Sequence, residues 1–271
     1  MSRDADPAPA EALRVMTFNI RRKIRTWRRE DRWRVRKPRV RAVLQRERPA
    51  VLGVQEALAG QARWVLESLG PGYRMIGRGR DADGQGEGCP VYFDNDRVEL
   101  LDWRQIALSA TPETPGSRAW GNLVPRVAVV ADFRDRLTGE PFRFVNTHLD
   151  QLSSHSRVHS AELLRQTLSS HGAPAILTGD FNTPPGSRPI TVLLEGGALR
   201  DAWREARLRT SPEYRSFANY RTPRPGRRID WIVVTEGVAV DRIGMLGEPV
   251  LGGWASDHLP IVADVRLGAG E

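Results

Sequence analysis

Short runs of apolar strand formers alternate with segments of helical spacing along the chain, and polar residues recur where the strand runs stop. LRVMTFNI (13–20) is the first such run and finishes on polar Asn19 and its neighbour. Over 33–47, Trp33, Val40, Val43 and Leu44 share a helical spacing once the arginines are placed outside, and Pro49 lies just beyond, where a helix has to stop. AVLGVQE (50–56) predicts a second strand and GQARWVLESLG (60–70) a second helix closed by Gly70. YRMIG, CPVYFD, VELLDW, RVAVVADF and FRFVNTHL follow as strand candidates, with DRLTGEP (135–141) as the hairpin turn between the last two. A helix over about 157–170, the strand AILTGDF, a helix near 188–195, and the strands RRIDWIVVT, AVDRIGML and LPIVADVRL complete the pattern. His171, beside Gly172, reads as a helix C-terminal residue favoured by the dipole.

Mixed strands in this number with flanking helices predict an α/β layered fold. The Gly- and Pro-rich stretches at 79–88, 111–125, 183–189 and 222–227 read as loops, none of them long or simple enough to link two domains. Residues 13–271 are therefore expected to form one domain after a disordered lead-in over 1–12. A chain of 271 residues is ample to bury a core, and no run approaches the roughly 20 apolar residues a membrane span needs. The N-terminal residues lack the apolar centre of a secretory signal, and the single Cys89 allows no internal disulfide and no zinc cluster. A cytoplasmic protein is the expectation.

The net charge is +8, carried almost wholly by arginine, since Lys23 and Lys37 are the lysines. Positive charge concentrates over 21–48, with Trp27 and Trp33 interleaved. Such a stripe can grip a polyphosphate backbone or stack on bases. The plainer reading is a solvated helix face and loop with ordinary core tryptophans.

Groups able to ligate a metal or touch phosphate recur at strand ends: Asn19, Glu56, Asn146 with His148, Asp180 with Asn182, Asp230, and Asp257 with His258. In layered α/β folds, sites form where strand ends converge. A hard cation such as Mg²⁺ takes oxygen ligands, often one or two carboxylates, and Glu56 and Asp257 suit it better than any His or Cys arrangement here. Taken alone, Asn19 and Asn146 would be strand-end hydrogen-bonders, and Asp230, between Arg228 and Trp231, a salt-bridged strand residue.

TFNI (17–20), GVQE (53–56), VNTHLD (145–150), TGDFN (178–182), RRIDWI (227–232) and SDHLPI (256–261) stand in a recognisable order. With these motifs the chain resembles the bacterial members of the endonuclease/exonuclease/phosphatase superfamily over about residues 13–266. The resemblance implies a deoxyribonuclease-I-like fold, a four-layer α/β sandwich of two packed mixed sheets flanked by helices, with the active site at one edge. It also implies roles. Glu56 is the principal metal ligand with Asn19 beside it, and Asp257 is a further metal-side carboxylate. His148 donates to the scissile phosphate, Asp180 orients or deprotonates the attacking water, Asn182 bonds a phosphate oxygen, and Asp230 orients His258. The implied ion is Mg²⁺, with Mn²⁺ as a substitute. A buried Asp230–His258 pair would keep the imidazole cationic at neutral pH, suiting a phosphate clamp more than a base.

Asn146 reads as structural, holding the loop that presents His148. Arg126 and Glu87 are weaker substrate-binding candidates, on their likeness to an arginine and a glutamate found near this site in relatives. His155 and His159 stand four apart on a predicted helix, and their polar surroundings favour a solvated helix start over a zinc site. Where base-excision members carry an acid two residues after the first-strand Asn, this chain has Arg21, which argues against a second metal there. TPPGSRPITVLL after GDFN is closer to the broad bacterial and deadenylase-like branch. The reaction class transfers and the substrate does not. A small phosphoester, enclosed by the loops at 79–88 and 111–125, is favoured because the arginine excess has a plain explanation. The alternative is a nuclease using the basic stripe, and a non-catalytic binding module is the reading from another class. A monomer is expected.

Overall fold

Successive residues of a strand point to opposite faces, and in this chain each face meets a different neighbour. The computed structural model describes residues 11–169 and 172–268, so His171 and residues 1–10 of the predicted lead-in lie outside the described residues. The first half runs β1 (Leu13–Asn19), α1 (Trp33–Glu47), β2 (Val51–Gln55), α2 (Ala59–Leu69), β3 (Tyr73–Ile76), β4 (Val91–Asp94), β5 (Val98–Ala107) and β6 (Val127–Asp135). The second half runs β7 (Pro141–His148), α3 (Ser154–Ser169), β8 (Ala175–Asp180), α4 (Arg188–Leu193), β9 (Leu199–Asp201), α5 (Ala202–Glu205), β10 (Leu208–Arg209), β11 (Asp230–Thr235), β12 (Val238–Met245) and β13 (Ile261–Leu267). One sheet has the order β10-β12-β13-β1-β2-β4-β3 and the other β5-β6-β7-β8-β11-β9, each mixing parallel and antiparallel pairs.

Three apolar clusters separate four layers. Val15 and Val51 of the first sheet meet Phe144, Ile176 and Ile232 of the second in the shared core. Met16, Phe18 and Leu52 turn the other way, onto Val40, Val43 and Leu44 of α1 and Val65 of α2. Leu177 and Val233 pack on Leu164 and Leu168 of α3 and Ile190 of α4. The result is the helix–sheet–sheet–helix sandwich expected from the motifs. Each predicted long element is present within a few residues, and β5 runs on past the predicted VELLDW to Ala107 through a register shift between Leu100 and Asp102. The pattern gave no sign of β9, α5 or β10, which are two to four residues long. Asp201 explains the turn into α5, since its side chain accepts from the Trp203 amide at 3.0 Å.

The same alternation stacks three tiers between the sheets. Two residues beyond the apolar tier, Thr17, Gly53, Asn146 and Thr178 occupy the inward positions, and the Gln55 side chain reaches back among them, the side chains fully or almost fully buried. Asn146 ties the sheets together there: its amide donates to Val54 O at 2.8 Å, and its Oδ1 accepts from Gln55 Nε2 at 2.7 Å. Two residues further on come Asn19, His148 and Asp180. Gly53 is what lets the sheets approach at the polar tier, because a Cβ there would lie 2.4 Å from both Asn146 Oδ1 and Thr178 Oγ1. Gly53→Ala should therefore lower unfolding stability by about 1–3 kcal/mol through overpacking. Urea unfolding that leaves the variant level with the wild type would disprove this account of the close approach.

Candidate active site

Strand pairing sets the reacting groups in a row. His148 is opposite Asp180 in the parallel β7–β8 pair, and Asp180 is opposite Asp230 in the antiparallel β8–β11 pair. All three face the other sheet, where Asn19 closes β1. The Asn19 amide donates to Asp180 Oδ2 at 2.9 Å and to Glu56 Oε1 at 3.1 Å, joining a carboxylate from each sheet.

Three residues reach this site through a left-handed backbone. As the residue after Gln55, an extended Glu56 would point outward with Val54; its φ of 63° re-aims the carboxylate inward. Arg21 (φ 55°) and Asn182 (φ 50°), each two residues past a strand-end site residue, turn in the same way. Non-glycine residues in this region cost on the order of 1–3 kcal/mol each and cluster at functional sites. Asn182 donates to Leu149 O at 3.0 Å, which orients its amide so that the second hydrogen meets His148 Nε2, also at 3.0 Å. His148 Nε2 is therefore the acceptor, and the ring proton belongs on Nδ1.

Electrostatics separate the two histidines. Burial is the main influence on His148; with Arg126 nearby it outweighs the pull of Asp180 and Glu56 and holds the ring down at about 4. Burial also works against charge on His258, but Asp230 and Asp180 overcome it and raise this ring well above its ordinary value. Its Nδ1 donates to Asp230 Oδ2 at 2.8 Å, while its Nε2 lies 3.7 Å from Asp180 Oδ2. His148 Nε2 lies 3.6 Å from the same oxygen. Asp180, 1% exposed, is pushed up by burial and by Asp230, against the two imidazoles. Glu56 goes the other way. Burial opposes its charge, yet His148, the Arg22 amide, His258 and Asn19 hold it down at about 2. Cys89 is pushed up to about 12 by burial and offers no thiolate.

The sequence-predicted residues Asn19, Glu56, His148, Asp180, Asn182, Asp230 and His258 thus come together. Asp257 joins through Arg21, whose guanidinium lies 3.6 Å from Asp257 Oδ2, 3.8 Å from Glu56 Oε2 and 3.5 Å from Asp31 Oδ1. Arg126 pairs through Nε with Asp150 at 3.3 Å and acts electrostatically on His148, and Glu87 is gripped by Arg22 and Arg80. Asn146 is structural, as its inter-sheet bonds show. Asp230 pairs with His258, while Arg228 turns to Asp201 and Glu213. His155 and His159 face each other on α3, with Nε2 atoms 3.0 Å apart, away from the centre.

Sequence reasoning missed the supports. Arg36, wholly buried, donates to the carbonyls of Asp31 at 3.1 Å and Arg21 at 2.9 Å, and so shapes the loop after β1. Its spacing of four from Val40 was the available signal. Phe217, 47% exposed, sets its ring 5.2 Å from His258 at the mouth, and no motif marks it.

The donor set fits a hard cation. Glu56 is held ionised, Asn19 donates to it, and Asp257 lies on the other side of the Arg21 guanidinium. Asp180, Asp230 and His258 also bring ligand atoms within 4.8 Å of one another. His258 Nδ1, however, spends its hydrogen on Asp230 and keeps its ring protonated, so that trio is a poor cation cage. An ionised carboxylate for an ion, a buried second carboxylate and donors for an oxyanion together define a metal-dependent phosphoester hydrolase.

A sequence model of the Endonuclease/Exonuclease/phosphatase family matches residues 16–258, and the chain belongs to that family. Among solved structures it is similar to a mannosyl-6-phosphatase of Bacteroides thetaiotaomicron, at 28% identity and a TM-score of 0.88 over 94% of this chain and 100% of that one. It is similar also to an endonuclease/exonuclease/phosphatase of Bacteroides vulgatus, at 31% identity and a TM-score of 0.85 over 94% and 99%. Protein angel of Drosophila melanogaster is 32% identical over 115 residues, which span 40% of this chain and 31% of that protein.

The opposed shifts give a direct test. In long-range ¹H–¹⁵N spectra at neutral pH, His148 should show the neutral tautomer protonated on Nδ1, and His258 should be doubly protonated. The reverse pairing of states would overturn the electrostatic assignment.

Proposed function

We propose that this chain hydrolyses a phosphoester by in-line attack of water, with Mg²⁺ as its ion and Mn²⁺ as a substitute. The observation that carries the reading is Asp180: a buried carboxylate pushed upward in basicity, with His148 and His258 Nε2 at 3.6 and 3.7 Å. A carboxylate so placed takes a proton from water more readily than an ordinary one, and a base within reach contributes about 10²–10⁴-fold. The proton passes to Asp180 as the water oxygen bonds to phosphorus and the ester oxygen leaves.

His258, kept cationic by Asp230, stabilises charge that grows on the phosphoryl oxygens, and the Asn182 amide hydrogen joins it once His148 Nε2 is protonated and no longer accepts. His148 is neutral beforehand, and an arriving phosphate anion favours its protonation, turning Nε2 into a donor. Asn19 fixes Asp180 and Glu56 relative to each other. Glu56, with Asn19 and Asp257, would hold the ion, which neutralises phosphate charge when bound. The reading treats residues 13–271 as one domain of a cytoplasmic monomer. A compact phosphoester accords with the mannosyl-6-phosphatase likeness; the basic segment after β1 supports a nucleic acid instead.

Asp180→Asn should lower kcat on bis-p-nitrophenyl phosphate by about 10²–10⁴-fold while leaving the fold intact, because it removes repulsion with Asp230. Retained turnover would end the assignment. Addition of Mg²⁺ should raise the melting temperature of the wild type and not of Glu56→Gln, since an ion that binds the folded state stabilises it; equal shifts would remove Glu56 from the ion's ligands. Sedimentation should return a single species near 30.3 kDa.

A further inference from the structure

Of the two tryptophans in the basic segment, Trp33 packs against the core as the plainer reading expects, and Trp27 does not. Lys23, Arg25, Arg32, Arg34 and Lys37 line one cavity of about 870 Å³ together with Trp27. Among the described residues no carboxylate lines that cavity. Glu30 and Asp31, the acids next to it in the chain, are engaged elsewhere, Glu30 with Arg28 at 2.7 Å and Asp31 with Tyr220 at 2.6 Å. Arg32 is bonded to the Thr26 and Trp27 carbonyls and the Lys37 ammonium lies 4.7 Å over the Trp64 ring, while Lys23, Arg25 and Arg34 are like charges around one hollow that repel each other until an anion enters.

Trp27 is 97% exposed. Its backbone is nonetheless tethered: Arg32 donates to Thr26 O and Trp27 O, each at 3.3 Å, and Arg28 reaches Asn219 O at 2.8 Å. A bare indole on an anchored loop is a stacking platform. The loop that lines the cavity also reaches the reaction centre. The Arg22 amide donates to Glu56 Oε2 at 3.0 Å, and Lys23, the next residue, already lines the cavity.

We propose that this cavity binds single-stranded nucleic acid, its phosphates on Lys23, Arg25 and Arg34 and an unstacked base on Trp27. A duplex hides its base faces from an indole. A membrane surface would call for a convex apolar cluster, whereas this site is concave and carries one exposed ring. Resting on the hydrolytic reading above, the proposal makes the ester a phosphodiester within such a strand.

The test uses the full chain without added metal and a fluorescein-labelled oligothymidylate about twelve nucleotides long, followed by anisotropy. Trp27→Ala should weaken binding about tenfold. The double variant Arg25→Glu/Arg34→Glu should weaken it further and flatten the log–log salt dependence by about 1.4, near 0.7 per lost phosphate contact. Both should turn over bis-p-nitrophenyl phosphate like the wild type, because neither touches the reaction centre. Variants that bind as the wild type does would overturn the proposal, as would a wild type that ignores the oligonucleotide and binds phosphatidylserine vesicles. Binding that responds as expected in a protein that cleaves no ester would uphold the cavity and sink the hydrolytic reading alone.

Discussion

A carboxylate shut away from water has to be answered by charge or hydrogen bonds, and Asp180 is where that demand is concentrated. Its neighbour across the sheet is another acid, Asp230, which makes the demand greater. The structure meets it from three directions: the Asn19 amide from the opposite sheet, the Asn182 backbone amide, and the His258 cation that Asp230 itself maintains. These answers are partial, and burial together with Asp230 still pushes the Asp180 carboxyl upward; the proposed base would draw on that imbalance.

Much of this could be read from the chain before its fold was known. Asn19, His148, Asp180 and Asp230 end or begin apolar runs, and strand parity then carries them to a common face. The departures come from backbone choices that no residue type announces. Glu56 and Asn182 depend on left-handed turns; a strictly alternating reading would send Glu56 to the helices. Gly53 was legible in principle, since glycine inside a strand signals a close approach. Trp27 shows the opposite limit. The plain reading of the basic stretch made it a core residue, and composition alone could not say that its ring stands in solvent.

Arg21 sharpens the difference between this chain and relatives with an acid at that position. A guanidinium within 4 Å of Glu56, Asp31 and Asp257 supplies fixed positive charge where an additional acid would have called for a further cation. Arg36 makes that placement possible by collecting the carbonyls of the loop, so a wholly buried arginine positions a partly exposed one.

The first and last strands of the chain lie side by side, β1 pairing antiparallel with β13, and the Ser256 hydroxyl bonds the carbonyl of Asn19 at 2.6 Å. Pairing β13 onto β1 is therefore what carries the segment of Asp257 and His258 up to Asn19, so any loosening of that one strand pair would part the two groups of polar side chains without unpairing β7, β8 and β11.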